Sequence, residues 1–376
     1  MVVNFSFFNM ENFKIAQSKL KDAAAAASSI RDQLSDIDAC MILYFASPVY
    51  SPETISVEMA NAFTNVRTVG CTTAGEMITG KMGQDSIVAM AWHKDTLKYL
   101  QIEVIENIQT DSDAVAKAFK SFEKSLGKPM NSLDPALYTG IVMIDGLSGC
   151  EENLNDQLGN LTNIPFVGGS AGDNLLFERT CLFVDGKVYS NAAVLLLMQP
   201  TNGYAILKTQ SFDITDKKLT PTKVNEKQRM VIEFNGKPAT EAFTEVLGIP
   251  FDELSKTLNK YPLGLVFDEH NYFVRSPKHF EGTAAKFHCA VKEGLELRVL
   301  QSGDIVADTR KDMQNCGKIQ AIVEFNCAHR FLEINANNQL KEYSEIFGNV
   351  PAIGFATYGE SYIGHMNQTS TMLLMK

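Results

Sequence analysis

Three times along the chain the apolar positions follow one order: a continuous run, a segment of helical period, a second run closed by glycines, and a third run. The first runs are "CMILYFASP" (40–48), "GIVMIDGLSG" (140–149) and "IQAIVEFNCA" (319–328). Unbroken apolar stretches of this kind predict strands buried on both faces. Helical segments follow: "SPETISVEMANAFTNV", which Ser51 or Pro52 can start, "CEENLNDQLGNL" and "NNQLKEYSEIFGNV". The third runs are "DSIVAMAW" (85–92), "AAVLLLM" (192–198) and "STMLLM" (370–375). Strands alternating with helices predict an α/β protein of repeated strand–helix–strand units. Its sheets are expected to be mixed and largely parallel, with a ligand pocket at the strand ends or between two domains.

The glycine strings make the repeat explicit. "NVRTVGCTTAGEM" (65–77), "NIPFVGGSAGDN" (163–174) and "NVPAIGFATYGES" (349–361) each carry an Asn, then a Gly five residues on: Gly70, Gly168 and Gly354. A second Gly follows (Gly75, Gly172, Gly359), and then an acid: Glu76, Asp173 and Glu360. A chain turning out of a buried strand needs positive φ or close backbone approach, which Gly supplies. Amides gathered in such turns can also form an anion nest. The acids either hold the turns through amide hydrogen bonds or face a ligand. None of the strings is GxGxxG or GxxxxGK[ST], so dinucleotide and nucleoside triphosphate sites are not indicated.

Elsewhere, residues 11–34 have the composition and spacing of a covering helix, as do residues 111–126, with acids at the start and Lys near the end. The segment 126–135 reads as the loop between the first two units. From about residue 200 the texture turns β-rich. A turn is expected at Asn235-Gly236, a helix from Pro238, and β structure over 272–277 and 294–309. The expected domains are 1–200, with two units, and 201–376, with the third unit at 319–376.

Composition narrows the function classes. The 376 residues are 45% hydrophobic with a net charge of -10, ordinary globular material without the basic face of a nucleic-acid binder. Seven scattered cysteines form no CxxC or CxxCH, so neither a zinc knuckle nor a covalently attached haem is indicated, and a reducing compartment suits them. The start, "MVVNFSFFNMENFKIAQ", lacks a basic n-region, and no segment approaches a membrane span. A soluble cytoplasmic protein is expected.

The strings "VGCTTAGEM", "FVGGSAGDN", "EFNGKPATEAF", "YFVRSP", "FNCAHRFLEI", "GFATYGE" and "HMNQT" occur in the order found in FIST proteins. The chain resembles that bacterial sensory family, with its N- and C-terminal FIST domains, over roughly residues 25–376. The resemblance implies a small-ligand sensor and not an enzyme. The ending "GFATYGESYIGHMNQTSTM" is similar to a NosP-type subset. That likeness implies a haem b cofactor, nitric oxide as the gas ligand, and a separate histidine kinase or cyclic-di-GMP enzyme as partner. A homo-oligomer is compatible with it. One departure stands out: His329 precedes Arg330 where the family usually has a small residue.

A haem needs an axial imidazole or thiolate in an otherwise apolar pocket. Of His93, His270, His279, His288, His329 and His365, the strongest axial candidate is His365, which enters the last strand after the third glycine unit. His329 and His288 follow, and Cys71 is a weaker thiolate candidate. His93, beside Trp92 at a strand end, is expected on the surface. Arg275 and Arg330 are candidates for a haem propionate or a ligand carboxylate, or for salt bridges within the fold. Two alternatives stay open: a haem-free sensor of an amino acid or related metabolite, and an enzyme using Cys71 as nucleophile. Against the enzyme, the chain has no histidine pair with metal-ligand spacing.

Overall fold

The structure, a computed structural model, describes residues 12–268 and 271–376; His270 lies outside the described residues. The first unit runs β1 (Phe13–Ser18), α1 (Ala23–Gln33), β2 (Ala39–Ala46), α2 (Pro52–Ala62), β3 (Arg67–Thr72), a hairpin β4 (Glu76–Ile78) and β5 (Lys81–Gly83), then β6 (Ile87–His93). The second repeats it: β7 (Leu97–Glu106), α3 (Ala114–Leu126), β8 (Thr139–Ile144), α4 (Glu151–Leu161), β9 (Phe166–Ser170), hairpin β10 (Leu182–Val184) and β11 (Lys187–Tyr189), and β12 (Ala192–Pro200).

The third unit opens with β13 (Tyr204–Thr209) and is interrupted by a β-rich insert. The insert comprises β14 (Phe212–Leu219), β15 (Pro221–Asn225), β16 (Met230–Phe234), β17 (Lys237–Pro238), α5 (Ala239–Leu247), α6 (Phe251–Thr257), β18 (Leu263–Val266), β19 (Tyr272–Arg275), β20 (Pro277–Glu281), β21 (Ala284–Phe287) and β22 (Leu297–Ser302). The unit resumes with α7 (Ile305–Gln314), β23 (Ala321–Cys327), α8 (Ala328–Ala336), α9 (Leu340–Ser344), β24 (Ala352–Thr357), hairpin β25 (Glu360–Ser361) and β26 (His365–Met366), and β27 (Ser370–Met375).

The three six-stranded sheets have equivalent orders: β1-β6-β2-β3-β10-β11, β7-β12-β8-β9-β25-β26 and β13-β27-β23-β24-β4-β5. In each, four strands belong to one unit and the last two are the hairpin of another. The second unit's hairpin completes the first sheet, the third's completes the second, and the first's completes the third. The exchange is cyclic, so no unit has a complete sheet of its own.

The sheets are mixed α/β sheets as expected, but among the described residues parallel pairing is confined to β2–β3, β8–β9 and β23–β24. The last strand of each unit returns antiparallel between its first two sheet strands, as β6 does between β1 and β2, and the exchanged hairpins add antiparallel pairs. Inward residues of all three sheets, among them Leu43, Met90, Met143, Leu196, Val323 and Leu373, form one apolar core. Their outward neighbours pack beneath the helices: Ile42 and Ala89, Val142 and Leu195, Ile322 and Leu374. This two-residue alternation with both faces covered is why the strands read as unbroken apolar runs.

Some expectations are corrected. The N-terminal part of the predicted helix over 11–34 is β1, because "FKIAQS" alternates and pairs antiparallel with β6 from Phe13↔Trp92 to Ser18↔Ile87. Only Ala23–Gln33 is helical, capped by the Asp22 carboxylate, which accepts from Ala25 N–H at 2.8 Å. The β reading of 294–309 holds to Ser302; Asp304 then caps α7. Asn235 and Gly236 both have positive φ, 52° and 75°, the two-residue hairpin turn expected there. His93 is buried, with Nδ1 accepting from Asp95 N–H at 3.2 Å.

Candidate functional site

The three glycine strings meet one another. Gly172 N–H donates to Thr72 O at 3.0 Å, Ser170 N–H to Gly359 O at 2.8 Å, and Ala74 N–H to Ala356 O at 3.1 Å. Strings one and two, two and three, and three and one are thereby joined in a closed ring. The first glycines lie at equivalent registers, opposite Tyr44, Val142 and Glu324 of the neighbouring parallel strand. A Cβ on Gly70, Gly168 or Gly354 would approach that residue's carbonyl oxygen to 1.9, 1.7 or 2.6 Å. Close backbone approach, and not positive φ, is what these positions require.

The acids hold loops. Glu76 accepts from Ser86 N–H at 3.0 Å, Glu360 from Thr369 N–H at 3.1 Å, and Asp173 from Phe177, Glu178 and Arg179 N–H at 2.9, 2.7 and 2.9 Å.

A cavity of about 250 Å³ opens beside this ring, where β8, β23 and β24 end and the insert covers them. Its walls are Gly146, Leu147, Gly149 and Glu151 from the second unit; Leu175 and Phe177 from the loop after β9; Cys327, Ala328, His329, Thr357 and Tyr358 from the third; and Arg229, Lys278, Lys286, Phe287 and His288 from the insert. Ligands in open α/β folds bind at this end of the strands. A larger groove of about 600 Å³ beside α7 is lined by Asp213, Asp308, Asp312, Lys208 and Lys311 but by none of the histidines.

Two sequence-predicted histidines face each other at the cavity. The Nε2 atoms of His288 and His329 are 3.1 Å apart, with the rings edge-on at 69°. Burial lowers the pKa of both, assisted for His288 by His329 itself, so both imidazoles are neutral. Arg229, missed in the sequence, ties the wall together. Its guanidinium donates to Glu151 at 2.7 Å, Glu152 at 2.6 Å and His288 O at 3.0 Å. Burial works against its charge, and the two carboxylates outweigh burial and raise its pKa. Its φ of 50° turns the side chain out of a strand path, a conformation no local sequence signal announces.

The mouth was also missed. Phe177 stacks on Tyr358 with ring centroids 4.8 Å apart, and Lys278 Nζ lies 5.3 Å above the Phe177 ring. Tyr358 Oη donates to Asp173 and accepts from Leu175 N–H at 2.8 Å. Asn174, Leu175 and Phe177 all have positive φ, and the Asp173 hydrogen bonds over-determine that loop.

The other candidates are placed elsewhere. His365 is buried on β26 with neither ring nitrogen hydrogen-bonded. Its ring fills the space a side chain on Gly359 would take, 2.0 Å from that Cβ position. Burial lowers its pKa against the pull of Glu151 and Glu152. Arg275 on β19 donates to Val274 O at 3.1 Å. Arg330 is interior to the third unit, donating to Asn326 Oδ1 at 3.0 Å and Thr309 Oγ1 at 2.9 Å. Cys71 points into the shared apolar core, where burial raises its thiol pKa.

His365 has the donor chemistry of an axial haem ligand, but the adjoining cavity is small and its wall carries Glu151, Arg229, Lys278 and Lys286. As packed, these residues leave no porphyrin-sized apolar slot. Among the described residues no helix is long and apolar enough to cross a membrane.

The family model described as the FIST N domain matches residues 40–237, and the FIST C domain model matches residues 239–362. FIST domains are sensory domains of signal transduction. The chain is also similar to an uncharacterized protein, MJ1623, of Methanocaldococcus jannaschii, at 23% identity over 301 residues. That match covers 74% of this chain and 57% of the relative, so the chain spans little more than half the relative's length.

Proposed function

The chain belongs to the FIST family, and from that premise we propose that it senses a small carboxylate, an amino acid or a related metabolite, in the cavity beneath the insert. The observation that carries this reading is the lining: Lys278, Lys286 and two neutral imidazoles around about 250 Å³ at the strand ends. That volume is below the roughly 300–1,000 Å³ of sites for drug-sized ligands, so it suits a metabolite of a few heavy atoms. Lysine ammonium groups attract a carboxylate, and Glu151, already facing Arg229, offers an acceptor for an amino group.

The walls come from the second unit, the third unit and the insert, so a ligand that bridges them favours one setting of the insert over another. Only a difference in affinity between the two settings can drive a signal. A separate histidine kinase or cyclic-di-GMP enzyme is the partner that the NosP-type likeness of the terminal motif implies, and it is proposed with the haem reading that follows.

A second reading is a haem-based nitric oxide sensor with His365 as axial ligand, favoured by the two unpartnered nitrogens of that ring. It requires the insert to move away from the strand ends. The test is a pair of titrations on the purified chain. Amino acids and small dicarboxylates are screened for a saturable rise in unfolding temperature, and haemin is added with the absorption spectrum recorded. A stabilising carboxylate without a stoichiometric Soret band supports the first reading; the reverse result replaces it with the second.

A further inference from the structure

His288 follows β21 in the insert and His329 lies in the first turn of α8, so no local geometry forces these rings together. Their Nε2 atoms nevertheless converge to 3.1 Å at the edge of the cavity. A hydrogen bond between two neutral imidazoles is one way to use that distance. It leaves Nδ1 of His329 buried and without a partner, as ligation through Nε2 also does.

A shared metal is the other way. Two imidazole nitrogens, each about 2.0–2.1 Å from one ion, lie about 2.9 Å apart at a right angle and about 3.4 Å apart at the tetrahedral angle. The observed separation falls between these limits. Imidazole ligates through the lone pair of a neutral ring nitrogen, and each Nε2 here faces the other. Among the described residues no group of three or more His, Cys, Asp or Glu side chains is placed to hold a metal. A pair leaves coordination positions for water or a pocket ligand, one protein ligand fewer than the three of an open catalytic zinc site.

We propose that His288 and His329 form a two-imidazole chelate for a divalent transition metal of the Zn²⁺ type, set in the cavity wall with its remaining positions open to the ligand. The chelate deepens the carboxylate-sensor reading, and rests on it only for what occupies the open positions. Borderline ions that favour imidazole, such as Zn²⁺, Co²⁺, Ni²⁺ and Cu²⁺, are the expected occupants; Ca²⁺ and Mg²⁺, which take oxygen ligands, are not. A carboxylate bound to the metal would tie the insert, through His288, to α8 of the third unit, through His329.

The experiment uses the full chain, stripped with a chelator and titrated with CoCl₂ by calorimetry and visible absorption. One Co²⁺ per chain is expected at the pair, with d–d bands that shift when azide, a probe of open positions, is added. His329→Ala and His288→Gln are expected to weaken binding at least tenfold. His279→Ala, which removes an exposed histidine next to Glu281, is expected to leave it unchanged. His329→Cys adds a signature that a structural role cannot produce: a sulfur-to-cobalt charge-transfer band in the near ultraviolet.

Unchanged Co²⁺ affinity in both pair variants, or loss with His279→Ala, overturns the proposal. So does a folded His329→Cys variant without the charge-transfer band. Carboxylate binding by the metal-free protein, with no Co²⁺ bound at the pair, removes the chelate and leaves the sensor reading intact. Co²⁺ at the pair, with no carboxylate bound in either state, removes the sensor reading and leaves the chelate.

Discussion

Glu76 shows how one side chain can hold a turn and set a pH dependence. It is buried, accepts from Ser86 and faces Thr73, and burial raises its carboxyl pKa to about 7. In the unfolded chain the same group titrates near about 4.3. Between those values the folded state holds the extra proton, so this contribution is complete at low pH and is lost as pH rises through about 7. Glu76→Gln keeps an acceptor for Ser86, reverses the Thr73 bond so that its amide donates to the hydroxyl, and cannot ionise. Its stability relative to the parent is expected to rise by roughly 3 kcal/mol between pH 4 and pH 8, measured by urea unfolding at each pH. A constant difference would mean that Glu76 titrates alike in the folded and unfolded chain. Arg229 is the second test at this scale. Arg229→Ala leaves Glu151 and Glu152 facing each other without their cation and is expected to cost about 3 kcal/mol in the same assay. A loss below about 1 kcal/mol would show the carboxylates to be solvated in the parent protein.

At the scale of elements, the glycines divide by what surrounds them. Gly168→Ala drives a methyl into the Val142 carbonyl and is expected to destabilise by about 3 kcal/mol or more, because two strands would have to part. Gly159→Ala, on α4 with open space around it, is expected to stabilise by about 1 kcal/mol. Equal effects in denaturant unfolding would contradict the assignment of Gly168 to a backbone contact. The spacing of Asn163, Gly168 and Gly172 made this repeat legible, since each unit must meet the same steric demand at the same place. What spacing did not reveal was where each hairpin goes. Glu76 sits three residues after Thr73 in the chain, yet β4 pairs with β24 of the third unit, and sequence-distant pairings of that kind leave no local pattern. β1 was hidden for a different reason: "FKIAQS" alternates over only six residues, and the helix formers behind it dominate any longer window. The site was legible in part. His288 and His329 stood out as histidines, but their convergence depends on how the insert folds back, and Arg229 reaches the wall only through its left-handed backbone.

Across the whole molecule, the cyclic exchange of hairpins and the shared core make the three units one cooperative body. The insert has a separate apolar core built on Phe234, Phe243, Leu263 and Phe287. It joins the third unit where β13 leads into β14 and where β22 leads into α7. Native-state hydrogen exchange is therefore expected to show insert amides opening at lower free energy than those of β2, β8 and β23, which should exchange together near the global value. Uniform protection across insert and core would argue against an insert that can change its setting. A ligand bridging insert and core should raise insert protection selectively. The most direct measurement is calorimetric titration of the best stabilising carboxylate into the parent protein and into the Lys278→Ala/Lys286→Ala variant. The account expects one site per chain and at least tenfold weaker binding in the variant; equal affinity in the two proteins would place the ligand outside this cavity and contradict it.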